Sequence, residues 1–269
     1  MIHQMNIYGN DKVEQAINRL QTFEPPEGYF LAFSGGKDSC VIKALADMAK
    51  VKYDAHYNVT SVDPPELVQF IKKYHPDVNR DKPTDKYGNV ITMWNLIPKM
   101  LTPPLRMSRY CCADLKESRG EGRFVVTGVR KAESSKRSHR GGLEVGERKK
   151  WRERLDPDNP NQEMIHNCMQ HNSRILNPII DWSTDEVWEF INEYKIPYCK
   201  LYDEGFARLG CIGCPMGSIE QRKQQFERWS TYKRAYIHAF DKMLKNRNAK
   251  GMSCQWKTAK EAFDWWISH

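Results

Sequence analysis

Several features are missing from this 269-residue chain, and each absence narrows what it does. No run approaches the roughly 18 apolar residues of a membrane span, so no membrane role is expected. The opening Met1-Ile2-His3-Gln4-Met5-Asn6 has neither the basic nor the apolar stretch of a secretory leader, which points to the cytosol. In that compartment the eight cysteines are not expected to form disulfides. They are left as core thiols, metal ligands or reactive groups. Internal repeats and low-complexity tracts are absent too. So are two common phosphate signatures. The Walker A pattern needs a glycine five residues before its Gly-Lys pair and Ser or Thr after it, where this chain has Leu31 and Asp38. The dinucleotide pattern Gly-x-Gly-x-x-Gly does not occur.

What is present instead is Phe33-Ser34-Gly35-Gly36-Lys37-Asp38-Ser39-Cys40. Gly28 to Phe33 before it is short, apolar and aromatic, and reads as a buried strand. After it Val41, Ala44, Leu45, Met48 and Ala49 recur at helical spacing. A strand, a glycine turn and a helix N-terminus bring backbone N–H groups and positive potential to one point, which makes an anion nest. The loop resembles the Ser-Gly-Gly-x-Asp-Ser loop of the PP-loop ATP pyrophosphatases, the adenine nucleotide α-hydrolases. That resemblance implies a grip on pyrophosphate and chemistry at the α-phosphate.

Further along, Tyr53–Thr60 and Arg123–Val129 read as strands. Asp63-Pro64-Pro65-Glu66 reads as a helix start capped by Asp63, and Ser183-Thr184-Asp185-Glu186 as a capping box. Strands separated by helices predict an α/β fold: a doubly wound, mostly parallel sheet with helices on both faces and ligands at the strand C-terminal ends. Residues 1–217 are expected to form this domain and residues 218–269 a C-terminal helical segment.

The cysteines fall in a pattern. Cys111 and Cys112 are adjacent, and Cys211-Ile212-Gly213-Cys214 is a C-x-x-C. Taken alone, C-x-x-C serves as a redox dithiol, a zinc site or an iron–sulfur site. Adjacent cysteines chelate one zinc ion poorly because their side chains diverge, whereas each cysteine of a 4Fe–4S cluster can bind a different iron. The bland alternative makes Cys111 or Cys112 a small core residue. Arg109-Tyr110-Cys111-Cys112-Ala113-Asp114-Leu115-Lys116 together with the C-x-x-C resembles the cluster pattern of the assimilatory adenylylsulfate reductases, in the PAPS reductase-like branch of the PP-loop superfamily. Thr127–Ser134 and Asn177–Trp182 are similar to that branch as well. The likeness runs from about Gly28 to Gly217. It implies that Ser34, Gly35, Gly36, Lys37, Asp38 and Ser39 hold nucleotide phosphates. Gly128 and Arg130 would contact nucleotide or substrate, and Cys111, Cys112, Cys211 and Cys214 would carry a 4Fe–4S cluster.

One departure bears on the reaction. Sulfonucleotide reductases place a nucleophilic cysteine in a Glu-Cys-Gly context near the C-terminus, but Cys254 stands in Met-Ser-Cys-Gln-Trp. ATP-dependent sulfur insertion, seen elsewhere in the branch, is therefore expected ahead of reduction of adenylyl sulfate or its 3′-phosphate form. Lys37, Asp38 and Arg130 form the expected catalytic set, with magnesium offsetting phosphate charge. A non-catalytic nucleic-acid-binding protein with a regulatory nucleotide site is the reading from a different class.

Charge is concentrated. Residues 130–154 hold ten Lys/Arg against four acids, a net +6 of the chain's +8. A basic flap gripping phosphates of ATP or of a nucleic-acid acceptor is expected there. A sulfur-donor protein is a further expected partner. His166, Cys168 and His171 match no standard metal spacing, Cys40 and Cys199 read as core, and Cys168 is a minor candidate for sulfur handling. Aromatics from Phe226 to Tyr236 are interleaved with Arg and Lys and read first as a packing face.

Overall fold

Asp11 caps the first helix, α1 (Lys12–Thr22), by accepting from the amides of Val13 and Glu14. In this computed structural model residues 11–116, 120–147 and 151–268 are described. Next come β1 (Tyr29–Ala32) and α2 (Lys37–Ala49), the strand–turn–helix unit expected around the glycine loop. β2 (Tyr53–Asn58), α3 (Pro65–Tyr74) and β3 (Asn79–Asp81) follow. The helix α3 begins at Pro65, and the Asp63 carboxylate accepts from the Thr60 hydroxyl at 2.7 Å.

The chain continues through α4 (Met93–Met100), α5 (Tyr110–Leu115), β4 (Phe124–Val126), α6 (Ser135–Ser138), β5 (Leu143–Glu147), β6 (Trp151–Leu155), α7 (Gln162–Gln170), β7 (Ser173–Leu176) and α8 (Thr184–Glu193). α9 (Ile219–Arg228), α10 (Ser230–Ala249) and α11 (Ala259–Ser268) complete it. Ser183 and Glu186 form the capping box expected at α8. Among the described residues no helix is long and apolar enough to cross a membrane.

Two compact units result. The first contains Met1–Tyr57, Glu66–Arg80 and Gly120–Arg208. The seven strands form one sheet in the order β3-β2-β1-β4-β7-β5-β6. β1 pairs in parallel with β2 and β4, and β4 with β7. The chain leaves β1 toward β2 and later returns to β4 on the other side, so the loop after β1 lies at the topological switch point, where ligands bind in open α/β sheets. Leu31, Val41, Leu45, Phe124, Val126 and Phe190 are among its fully buried side chains.

The basic segment departs from expectation. Most of residues 130–154 is regular structure, not a flap: a 3-10 turn at Lys131–Glu133, α6, and the antiparallel pair β5–β6, with β5 also antiparallel to β7. β5 lies between β6 and β7, and Leu143, Glu144 and Val145 are all buried, with the Glu144 carboxylate held by Arg140 at 2.5 Å. Arg148, Lys149 and Lys150 lie outside the described residues.

The second unit combines Asn58–Pro65, Asp81–Arg119 and Leu209–His269. Its centre is aromatic. Phe226, Tyr236, Phe240, Phe263 and Trp266 are buried against one another, with Tyr236 and Trp266 centroids at 4.8 Å. The interleaved aromatics of α9 and α10 thus serve as core.

Candidate nucleotide and cysteine sites

The glycine loop is built by short-range bonds. Gly35 turns at φ +74° and Gly36 stands at the N-cap of α2. The Ser34 hydroxyl accepts from the Gly36 amide at 3.3 Å and donates to Ser39 Oγ at 3.3 Å. Ser39 Oγ donates to the Gly36 carbonyl at 2.8 Å. These bonds set two hydroxyls beside the N-terminus of a 13-residue helix, the end at which the helix dipole is positive. Such an arrangement is suited to an anion.

Arg130 is tied into the loop. Its Nε donates to Asp38 Oδ1 at 2.7 Å and its Nη1 to the Trp182 carbonyl at 3.1 Å, and only 1% of the residue is exposed. Lys37 Nζ stands 3.5 Å from the other Asp38 oxygen. The Asp38 carboxylate is therefore neutralised twice and does not repel an incoming phosphate. Gly128 makes this approach feasible, since a Cβ there would lie 3.0 Å from the Asp38 carbonyl group. The Asn177–Trp182 stretch is the scaffold. Asn177 accepts from Thr127 and donates to the Gly141 carbonyl at 2.8 Å, while Asp181 holds buried Arg19 at 2.9 Å. All of the expected phosphate residues thus meet at one end of the sheet.

Tyr202 was not anticipated. Its hydroxyl accepts from the Lys37 amide at 2.9 Å, and its ring sits 5.6 Å from Lys37 Nζ. Trp188 packs edge-on at 5.1 Å and fixes it. Burial pushes the phenol up, so it stays neutral. No sequence signal links positions 165 residues apart.

The second unit gathers the four cysteines named from sequence. Cys111 and Cys112 lie on α5, and Cys211–Cys214 closes a turn with the Cys214 amide donating to the Cys211 carbonyl at 3.2 Å. Cys111 lies within electrostatic reach of Cys112, Cys211 and Cys214. The Cys111 thiol donates to Cys112 and, with Arg109 and Lys116 beside it, holds Cys112 down toward thiolate. Burial pushes Cys211 up to about 11, against the pull of Lys116. Cys211 also donates weakly to Thr60 Oγ1 at 3.7 Å and Asp63 Oδ1 at 3.8 Å. The turn is pinned by the Val62 carbonyl on the Ile212 amide (2.8 Å) and by Gln225 Oε1 on the Gly213 amide (2.8 Å). Lys116, Thr60 and Asp63 are additions to the expected set. Lys116 was within reach of sequence reasoning, one helical turn beyond Cys112.

Among the described residues no three His, Cys, Asp or Glu groups converge tightly enough to hold a single metal ion. Four soft donors are the ligand type of a 4Fe–4S cluster, whose ligands attach to different irons. On donor chemistry the set fits a 4Fe–4S cluster.

Three of the other four cysteines behave as core, while Cys254 is half-buried. Cys40, Cys168 and Cys199 are buried, and burial raises Cys168 to about 11, too high for a reactive thiolate.

Comparison with known proteins follows the same lines. The model of the phosphoadenosine phosphosulfate reductase domain matches residues 28–217. An adenosine 5′-phosphosulfate reductase of Staphylococcus haemolyticus is 24% identical over 217 residues, covering 75% of this chain and 74% of that one. One from Pseudomonas aeruginosa is 25% identical over 243 residues, covering 85% and 83%. Among solved structures, a phosphoadenylyl-sulfate reductase from Candida auris in a phosphate complex superposes with a TM-score of 0.50 at 17% identity, covering 73% of this chain and 87% of that one. That likeness is one of fold.

Proposed function

Because this chain belongs to the phosphoadenosine phosphosulfate reductase domain family, we propose that it is a PP-loop enzyme that binds ATP, cleaves it at the α-phosphate and transfers sulfur to the acceptor so activated. The observation that supports this reading is the presence, on one chain, of a serine-flanked glycine loop at the switch point and of four thiols in one electrostatic group. An acceptor oxygen attacks the α-phosphorus, the bond to the bridging oxygen breaks, and pyrophosphate leaves with the electron pair. Ser34, Ser39 and the first amides of α2 hold the departing charge, and Lys37 adds a cation at the same end. Arg130 keeps Asp38 compensated and the loop in shape. Magnesium enters with the nucleotide. Cys111, Cys112, Cys211 and Cys214 would hold a 4Fe–4S cluster, which when bound supplies an anionic centre for sulfur chemistry. The net +6 carried by residues 130–154 of the sequence favours a nucleic acid as acceptor. A sulfur-donor protein completes the cycle.

Reduction of adenylyl sulfate is the second reading, favoured by the names of the relatives. Both readings use the same loop. Anaerobically purified protein, given magnesium with ATP and DNA or tRNA, is expected to release pyrophosphate, and Ser39→Ala is expected to abolish it. Sulfite from adenylyl sulfate without pyrophosphate from ATP would replace the first reading by the second. Tight polynucleotide binding with neither product would overturn both.

A further inference from the structure

Arg222, on α9, is 2% exposed. A guanidinium is always charged and offers five N–H donors. Here Nη1 donates to the Trp266 carbonyl at 2.9 Å, and Nε is buried with no hydrogen-bond partner. The charged groups that reach it are Arg106, a like charge, and Cys214. No carboxylate among the described residues pairs with it. A buried cation left this way is among the costliest features a fold can carry, and natural structures balance it with an anion. The Arg222 side chain stands beside the Cys211–Cys214 turn: a Cβ added to Gly217 would lie 3.3 Å from the Cys214 carbonyl and 4.0 Å from Arg222 Cγ, and Trp266, whose carbonyl Arg222 holds, abuts Gly213.

Four neutral thiols supply no charge. Four thiolates around an iron–sulfur core supply a net negative centre. We infer that Arg222 is the buried counter-cation of the cysteine centre and sets the reduction potential of the cluster held there. This inference rests on the cluster reading above.

The physical consequence has a definite sign. Reduction by one electron adds negative charge at the centre. A fixed cation close by in a poorly screening interior favours the reduced form and raises the potential. Arginine suits the position because it cannot shed its proton under burial, as a lysine can. Arg222 contacts no reacting atom in this account and acts only through its charge.

Wild type, Arg222→Lys and Arg222→Met are reconstituted with iron and sulfide without oxygen. Metal and sulfide content, circular dichroism and protein-film voltammetry are then measured on each. Arg222→Met is expected to show about a tenfold lower ratio of reduced to oxidised cluster at a fixed potential, which is about 59 mV for one electron. Loss of iron from Arg222→Met with retention in Arg222→Lys would support the same conclusion. Arg222→Lys, which keeps a cation, is expected to stay near the wild-type potential. A folded Arg222→Met with full iron content at the wild-type potential overturns the inference. An equal shift in both variants assigns the effect to packing and also overturns it. Zinc without iron in the wild type would instead defeat the cluster reading, and this inference with it.

Discussion

Replacing Gly213 with alanine tests how tightly the C-x-x-C turn is built. Gly213 has φ +71°, a left-handed conformation. A Cβ there would lie 2.4 Å from Phe226 Cζ and 2.9 Å from Trp266 Cη2. Neither ring can retreat cheaply. Phe226 is wedged against Phe263 at 5.1 Å, and Trp266 against Tyr236 at 4.8 Å. The left-handed backbone costs alanine about 1–2 kcal/mol, and overpacking adds about 1–3 kcal/mol. A loss of about 3–4 kcal/mol is expected, a fall in Tm on the order of 10 °C. Gly88 provides the control, with φ +83° and nothing within 4 Å of an added Cβ. Gly88→Ala isolates the backbone cost and is expected to lose about 1 kcal/mol. Urea unfolding of the two variants and the wild type measures both terms. Equal losses would show that the Phe226–Trp266 wall yields, and the packing argument for this turn would fall.

Three further outcomes are expected. His75 packs tilted against Phe33 at 4.7 Å and contacts Cys40 Sγ at 3.9 Å, and its burial lowers it from 6.5 to about 4. The unfolded chain therefore takes up a proton first as pH falls, so stability present above about 6.5 is lost toward pH 4, by about 2 kcal/mol after allowance for solvent screening. Urea midpoints measured from pH 7 to 4 should fall less steeply in His75→Gln, and identical slopes would refute the assignment. Tyr202→Phe removes the acceptor of the Lys37 amide. It should cost about 1 kcal/mol of stability while tightening pyrophosphate binding, because a loop donor is released to the ligand; weaker binding by calorimetry would contradict this. Iron retained after anaerobic reconstitution should collapse in Ser variants of Cys111, Cys112, Cys211 or Cys214 and persist in Cys168→Ser, with the reverse pattern reassigning the ligands.

The local parts of the molecule were legible from sequence because their causes are local. A strand, two glycines and a periodic helix dictate the loop around Gly35, and the Ser183–Glu186 box caps α8 by bonds three residues apart. The thiol set could be named because C-x-x-C and the vicinal pair carry their chemistry in spacing. Over residues 130–154 the local charge pattern was outbid by partners elsewhere. The charged alternation of β5 and β6 becomes a hairpin only where β7 offers an edge. What tertiary structure alone decided is which side chains meet. Arg130 reaches Asp38 across 92 residues, Tyr202 reaches the Lys37 amide across 165, and Arg222 is buried with no carboxylate partner among the described residues. Sequence patterns specify backbone conformation over a few residues, whereas these encounters depend on strand order and on how helices close over the sheet, which no short pattern carries.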